Sequence, residues 1–533
     1  MKKISFFKRI FSNIIFLKDK FFFSKYEKKF INYNLTKWSK EKIIKSKGIV
    51  LIDLFYWGPW IYFWSHLASC LRNEKKLEIK FFYFHFFLNK FQNFNFFNNK
   101  LIKIYNSMNI FEGINEVNFK YKDGEYLKYQ KLFSKIKSKN KLVKFKIHNV
   151  LIGDLIYDTY LRTTFEPTIN LSDPRLEKIF IRSLKIFFET LNFFKHNKVE
   201  YVVPSHLCYT YGIIARIAVK KKIKVIKLRT ENWGSASFQL INVNKYCLDE
   251  QPYYDYKNSF KKLNNKEKAL GLKIGKKIIK NRMKGSFDKN LPYINKSQFS
   301  KSNIKKSLSK NKLKKESIII FPHCFYDYPH RYRSMIFNDY YEHALFFLNQ
   351  SKIFKNYQWY YKPHPNSLSG HFDFHKLLLN KFPEVKFLSK DFSHREIIKL
   401  KPKCIITNHG TVAHEYAYHN ILSINTGDNP HINYNFCLNV NNKKKLIKIF
   451  NNIDYYRKQI SFDKNKIYEF LYMHYIYYKK FYNRDLLIKD SYFSKGSIAQ
   501  NKNSKILNYL INNDNKNSEN IRKYISNFIN NKK

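Results

Sequence analysis

Short apolar runs that break off at a polar residue, each followed by a stretch with helical spacing, recur along this chain. The first covers 48–54 (Gly48-Ile49-Val50-Leu51-Ile52-Asp53-Leu54), with a helix expected over 61–71 and a second strand over 79–86. A helix over 176–196 feeds a strand over 201–203, then a helix over 209–221 and a strand over 225–228. The pattern returns at Ser317-Ile318-Ile319-Ile320-Phe321 and continues through strands at 359–362, 385–388, 404–407 and 421–425. Between them lie helical stretches at 337–349, 372–382, 393–400 and 411–418. Uninterrupted aliphatic and aromatic runs of this length suit strands covered on both faces. Strand alternating with helix predicts parallel sheets flanked by helices, and it predicts them twice.

This pattern divides the chain into a basic helical leader (1–46), a first Rossmann-like domain (47–250) and a Lys-rich connector (251–315). A second Rossmann-like domain (316–445), aromatic-rich helices (446–495) and a polar tail (496–533), expected to be mobile at its end, complete it. At 533 residues the chain is too long for one core. The formal charge of +59 rests mostly on lysine, in a sequence also rich in Asn, Ile, Phe and Tyr. That composition fits an AT-rich genome, so much of the charge is expected to be solvated surface; the remainder favours anionic partners. Nucleic acid is excluded as the expected partner, since Arg is scarce and no zinc-finger, helix-turn-helix or RNP pattern occurs. Six scattered cysteines without a CxxC pair predict neither a disulfide framework nor a zinc site, and fit a reducing cytoplasm. No uncharged apolar run is long enough to span a bilayer, while the basic, aromatic leader could lie on an anionic membrane surface.

The chemistry gathers at strand ends. Four of the expected strands run out at a histidine: His206, His323, His364 and His409. In open parallel sheets, ligands sit outside the carboxyl ends of the strands. In Asn408-His409-Gly410-Thr411, glycine lets backbone approach a ligand and the following helix start offers N–H groups to an anion. Thr411, His414 and Glu415 share one helical face, where Glu415 could take a ribose hydroxyl; the alternative is an ordinary cap, with Thr411 capping and Glu415 favoured by the dipole. Lys362 and His364 flank Pro363 and could neutralise charge on a departing phosphate. His323, Asp327, His330 and Arg331 follow the strand at 317, in a spacing that matches no standard metal site. His371 and His375, with Asp373 between them, read as a solvated helix face. A base for a hydroxyl acceptor would come from the first domain, where Asp154, Asp158, Glu166, His206 and Glu231 are the candidates.

Lys362-Pro363-His364-Pro365 and Thr407-Asn408-His409-Gly410-Thr411-Val412-Ala413-His414-Glu415, with Asn425 to Pro430 after them, resemble motifs of the bacterial capsule and surface polysaccharide glycosyltransferases. Capsule Kdo transferases and polysialyltransferases are among that family's members. Pro322 to Asp327 and Asn338 to Glu342 are similar to it too, so the resemblance covers about 317–430. It implies an α/β chain of GT-B fold: two Rossmann-like domains facing a cleft, with additional helices. It implies that His364 assists nucleotide departure, and that Gly410, Thr411 and Glu415 bind the donor; Lys362, His323, Asp327 and His409 are further donor-binding candidates. It further implies no metal and no cofactor beyond a nucleotide-sugar co-substrate. A lipid-linked or oligosaccharide acceptor and a cytoplasmic place, peripheral to the inner membrane face, complete the expectation. The family's acidic base motif is absent, and the long Lys-rich insert departs from its pattern. Alternative readings are a CDP-polyol phosphotransferase of teichoic-acid type, a nucleotide-sugar epimerase, and a non-catalytic binder of polyanions or membrane.

Overall fold

Two six-stranded sheets organise the molecule, and both carry the same strand order. The structure, a computed structural model, describes residues 23–38, 40–41, 45–55, 58–84, 95–116, 119, 123–231, 235–240, 255–285, 297–299, 316–331, 335–365, 371–477 and 507–530. The chain separates into two units, one from Met1–Lys131, Ile181–Cys247 and Tyr482–Lys533, the other from Leu132–Phe180 and Leu248–Phe481.

In the first unit the sheet runs Phe111–Asn115, Glu78–Tyr83, Ile49–Asp53, Val199–Val203, Lys224–Glu231, Ser235–Leu240. Counted in chain order this is 3-2-1-4-5-6, the Rossmann arrangement, parallel except for an antiparallel last pair. The strand Ile49–Asp53 is buried throughout, as a central strand covered on both faces must be. The helix Gly58–Lys75 turns Ile61, Trp64, Leu67, Ala68 and Leu71 into the core at helical spacing.

Two expectations change here. Part of the basic leader is core, because the helix Lys25–Trp38 buries Phe30 and Trp38; residues 1–22 lie outside the described residues. The tail is not merely polar either. Its helix Asp514–Ile529 adds Ile521, Ile525 and Ile529, one helical turn apart, to the same core. At its start Asp514 accepts hydrogen bonds from the Tyr33 and Tyr62 hydroxyls at 2.7 Å each, meets His66 at 3.2 Å, and pairs with Lys37.

In the second unit the order is Lys386–Phe387, Gln358–Tyr361, Ser317–Ile320, Cys404–Thr407, Leu422–Asn425, Leu438–Asn439. It is again 3-2-1-4-5-6 and parallel throughout. Alternation along the strands supplies two cores: Ile318, Ile320, Trp359, Tyr361 and Ile406 on one face, Ile319, Tyr360 and Ile405 on the other. Two Rossmann-like α/β units with additional helices are therefore present, as the alternating pattern predicts.

The boundaries differ from those read in sequence. Residues 132–180, with the helix Gly153–Thr164, belong to the second unit rather than the first. The expected connector contains the helix Asn265–Met283, started by an Asn264–Glu267 capping box and packed on the helix Lys464–Tyr472. Gly271 and Gly275 allow that approach: a Cβ on Gly275 would stand 2.0 Å from the Tyr468 carbonyl oxygen. Residues 286–296 and 300–315 of the expected Lys-rich connector lie outside the described residues.

Candidate active site

The order of the second sheet reverses between its first and fourth strands, Ser317–Ile320 and Cys404–Thr407, which pair directly. Such a switch point opens a crevice at the carboxyl ends of the strands. His323 leaves one of these strands and His409 the other, and their rings lie 4.8 Å apart. From the neighbouring strand Gln358–Tyr361, Lys362-Pro363-His364 brings His364 to 5.6 Å from His323, the two rings stacked. Tyr340, 4.5 Å from His323, backs the group, its hydroxyl 3.4 Å from His409 Nε2. Three phrases distant in sequence thus deliver their imidazoles to one place.

These histidines line a cavity of about 240 Å³ that also takes in Lys362, Thr411 and Glu415. Lys362 is 1% exposed, and its Nζ donates to Gln298 Oε1 and to the Lys390 carbonyl, each at 3.0 Å. Burial pushes its pKa down to about 7, against the opposing pull of Asp391 and Glu415. Gly410 is required by close approach: a Cβ there would lie 2.7 Å from Thr407 Oγ1. Thr411 makes no capping bond to the short helix Val412–Ala417, so the reading of it as an ordinary cap fails.

Part of the lining is aromatic. Phe321 stacks on His394 at 5.3 Å, Phe299 lies 5.3 Å from the same ring, and Tyr416 donates to or accepts from His394 Nδ1 at 3.0 Å. Burial holds His394 well below the ordinary imidazole range, with Lys362 adding to the effect, so it stays neutral. The cavity is therefore lined both by flat aromatic rings and by nitrogen groups.

Glu415 lines the cavity but is already engaged. Arg282 Nη1 donates to its carboxylate at 3.1 Å and lies 3.2 Å from His414 Nε2, while Nη2 donates to Tyr475 at 3.3 Å. His414 is buried, and burial, then Arg282, His431 and His474, hold it well below the usual imidazole range. Arg282, Gln298, Phe299 and His394 were not picked out from sequence. The first three come from the stretch read as connector, where a capping box and the Gly271/Gly275 spacing were the available signals.

The remaining expected residues do not join this cavity. Asp327 sits beside His323 at 3.9 Å without lining it. Asp154 and Asp158 are buried on the helix Gly153–Thr164, in the second unit and not in the first, from which a base was expected. His330 Nδ1 meets Asp158 Oδ1 at 2.6 Å; burial raises the Asp158 carboxyl to about 6 despite this partner. Of the residues grouped by that spacing, His330 thus pairs with Asp158 and His323 with Asp327, while the Arg331 side chain lies outside the described residues. Glu166 is half exposed and paired with Arg175 at 2.8 Å. His375 is buried against Tyr361, at 2.6 Å, rather than on a solvated face. The side chains of His371, Asp373 and Glu231 lie outside the described residues. His206 belongs to the first unit, at the end of the strand Val199–Val203. No helix among the described residues is long and apolar enough to cross a membrane.

No family model matches the sequence, and no curated protein does. Among solved structures the chain is similar to the β-Kdo 2,4-transferase KpsC of Thermosulfurimonas dismutans, at 13% identity over 58% of this chain and 87% of that one, with a TM-score of 0.34. The UDP-GlcNAc 2-epimerase of Neisseria meningitidis, solved with UDP-GlcNAc, matches at 11% identity over 79% and 96%, with a TM-score of 0.24. The wall teichoic acid polymerase TagF matches at 12% identity over 97% and 99%, with a TM-score of 0.20.

Proposed function

We propose that the chain is a glycosyltransferase that moves a sugar from a nucleotide-sugar donor to a growing capsule or surface polysaccharide, with the donor held in the cavity of the second unit. The observation that carries this reading is the meeting of His323, His364 and His409 at the rim of a cavity floored by Lys362. Transfer breaks the bond from the anomeric carbon to the donor phosphate, and the electron pair leaves with the phosphate oxygen. Positive and hydrogen-bonding groups fixed beforehand around that oxygen lower the barrier. Lys362 and the imidazole of His364 are suited to this, while Phe299 and Phe321 offer flat surfaces to a nucleobase. The acceptor hydroxyl oxygen takes the place of the phosphate on carbon, and its proton passes to a base.

Supporting this, the Lys362-Pro363-His364-Pro365 phrase resembles the glycosyltransferase motif noted above and supplies two of the groups. A lipid-linked or oligosaccharide acceptor, and work at the inner face of the cytoplasmic membrane, belong to the same proposal. The test is a thermal-shift screen of the full chain with CMP, UDP, GDP, CDP and dTDP, extended to UDP-GlcNAc and CDP-glycerol. A nucleotide that raises the melting temperature of the wild type but not of His364→Ala or Lys362→Met supports the reading. Preference for CDP-glycerol over every nucleotide sugar would convert it to polyol phosphate transfer. Indifference to all of them would end it.

A further inference from the structure

A lysine as buried as Lys362, at 1% exposure, is ordinarily matched to a carboxylate, because an ammonium without a counter-charge is costly to bury. Lys362 gives its two hydrogen bonds to neutral oxygens instead. Its Nζ donates to the Gln298 side-chain carbonyl and to the Lys390 backbone carbonyl, both at 3.0 Å. An ammonium has three N–H groups, so two fixed acceptors leave one for another oxygen. Gln298 cannot turn its amide around, since an NH2 group does not accept from an ammonium. The backbone pins this residue too. His394 N–H donates to the Gln298 main-chain oxygen at 3.0 Å, and the next residue, Phe299, is buried with its ring 5.3 Å from His394. Gln298 and Lys362 both line the cavity, although Gln298 belongs to the Lys-rich stretch outside the 317–430 resemblance.

We infer that Gln298 is a positioning residue: together with the Lys390 carbonyl it holds the Lys362 amine by neutral acceptors, so that an anionic phosphate oxygen of the ligand becomes the negative partner the amine bonds. A carboxylate of the same shape in this place would fill that role permanently and repel phosphate. The charged groups that face Lys362 from elsewhere do not fill it. Asp391 and Glu415 pull its pKa upward less than burial lowers it, and Glu415 is bonded to Arg282. His394 stays neutral, and His323, His364 and His409 line the same cavity without supplying negative charge. The amine therefore rests near its titration point, about 7, and a bound phosphate draws it to the charged form. The inference rests on the donor reading for the identity of the anion, not for the part played by Gln298.

Trace acetylation of the full-length protein with isotopic acetic anhydride, read by peptide mass spectrometry across pH, gives the pKa of Lys362 in place. Gln298→Leu removes an acceptor that favours the charged form and should lower this value by about half a unit to one unit. Gln298→Glu supplies a counter-charge and should raise it by about 1–3 units, slowing acetylation at pH 7 about tenfold. Opposite signs at one position mark positioning, since a loosened cavity would move both variants up toward the ordinary lysine value. An unchanged or raised pKa in Gln298→Leu overturns the inference, and that variant decides alone if Gln298→Glu fails to fold. Inorganic pyrophosphate, at millimolar concentration, is the ligand probe. It should protect Lys362 from acetylation in the wild type and about tenfold less well in Gln298→Glu. No protection in the wild type, or equal protection in both, overturns the assignment of phosphate as the partner. Protection by pyrophosphate with no response to any nucleotide would sink the donor reading and leave this one standing.

Discussion

Arg282 and Glu415 form an ion pair at 3.1 Å with side chains only 5% and 6% exposed, in the wall of the cavity that the histidines rim. The carboxylate expected to hold a ribose hydroxyl is thus committed to an arginine from a distant helix. Removing one member of a buried pair strands the other charge. Glu415→Ala should therefore cost about 3 kcal/mol of stability, and Arg282→Ala a similar amount. The double variant should cost less than the sum, as denaturant titration of all three would show. A fully stable Glu415→Ala that has lost only ligand affinity would return Glu415 to the role read from sequence.

Lys362 gives the cavity a pH signature. With its pKa lowered to about 7 by burial, the ammonium is present below neutrality and lost above it. Between that value and the ordinary lysine value of about 10.4, the unfolded chain binds the extra proton, so this residue's contribution to stability rises with pH across the window. Phosphate binding should act in the opposite sense, drawing a proton in. Nucleotide affinity is expected to fall from pH 7 to pH 9, with proton uptake visible as buffer-dependent heats in calorimetry. Lys362→Met should abolish the uptake and leave the protein more stable near pH 6.

Asp514 should be the first unit's acid-sensitive point. Burial alone would raise its carboxyl, but the bonds from His66, Lys37 and Tyr33 outweigh that and hold it below the usual range. Stability from this group is present above the unfolded value of about 3.9 and lost as pH falls below it. Asp514→Asn should cost about 3 kcal/mol at neutral pH and flatten the acid limb of the unfolding curve. Proteolysis should then cut first at the helix Asp514–Ile529.

Gly275→Ala tests the helix pair of the second unit. The added methyl would meet the Tyr468 carbonyl, which is backbone and cannot swing aside. A loss of about 1–3 kcal/mol is expected, measured as a lower melting temperature. The same exchange at Gly427, where a Cβ would meet nothing closer than Met335 at 3.8 Å, should be tolerated.

The parallel sheets could be read from sequence because their strands are short, buried and uninterrupted, and because each stops at a polar residue with a chemical use. Ile318 to Ile320 and Cys404 to Thr407 are such runs, and His323 and His409 followed from them. Long-range pairing left no such trace. Arg282 looked like one more basic residue in a lysine-rich stretch, since nothing local says it faces Glu415. Chain order puts Asp154 and Asp158 with the first domain, whereas contact puts them in the second unit.

The helix Asp514–Ile529 closes a core begun by Lys25–Trp38, so the first unit draws on both extremes of the chain. A ribosome making this protein releases all of the second unit's segments before that helix leaves the exit tunnel. Maturation must then run against chain order, the downstream unit finishing while the upstream one waits with apolar surface uncovered. That interval is where a chaperone would be needed during translation.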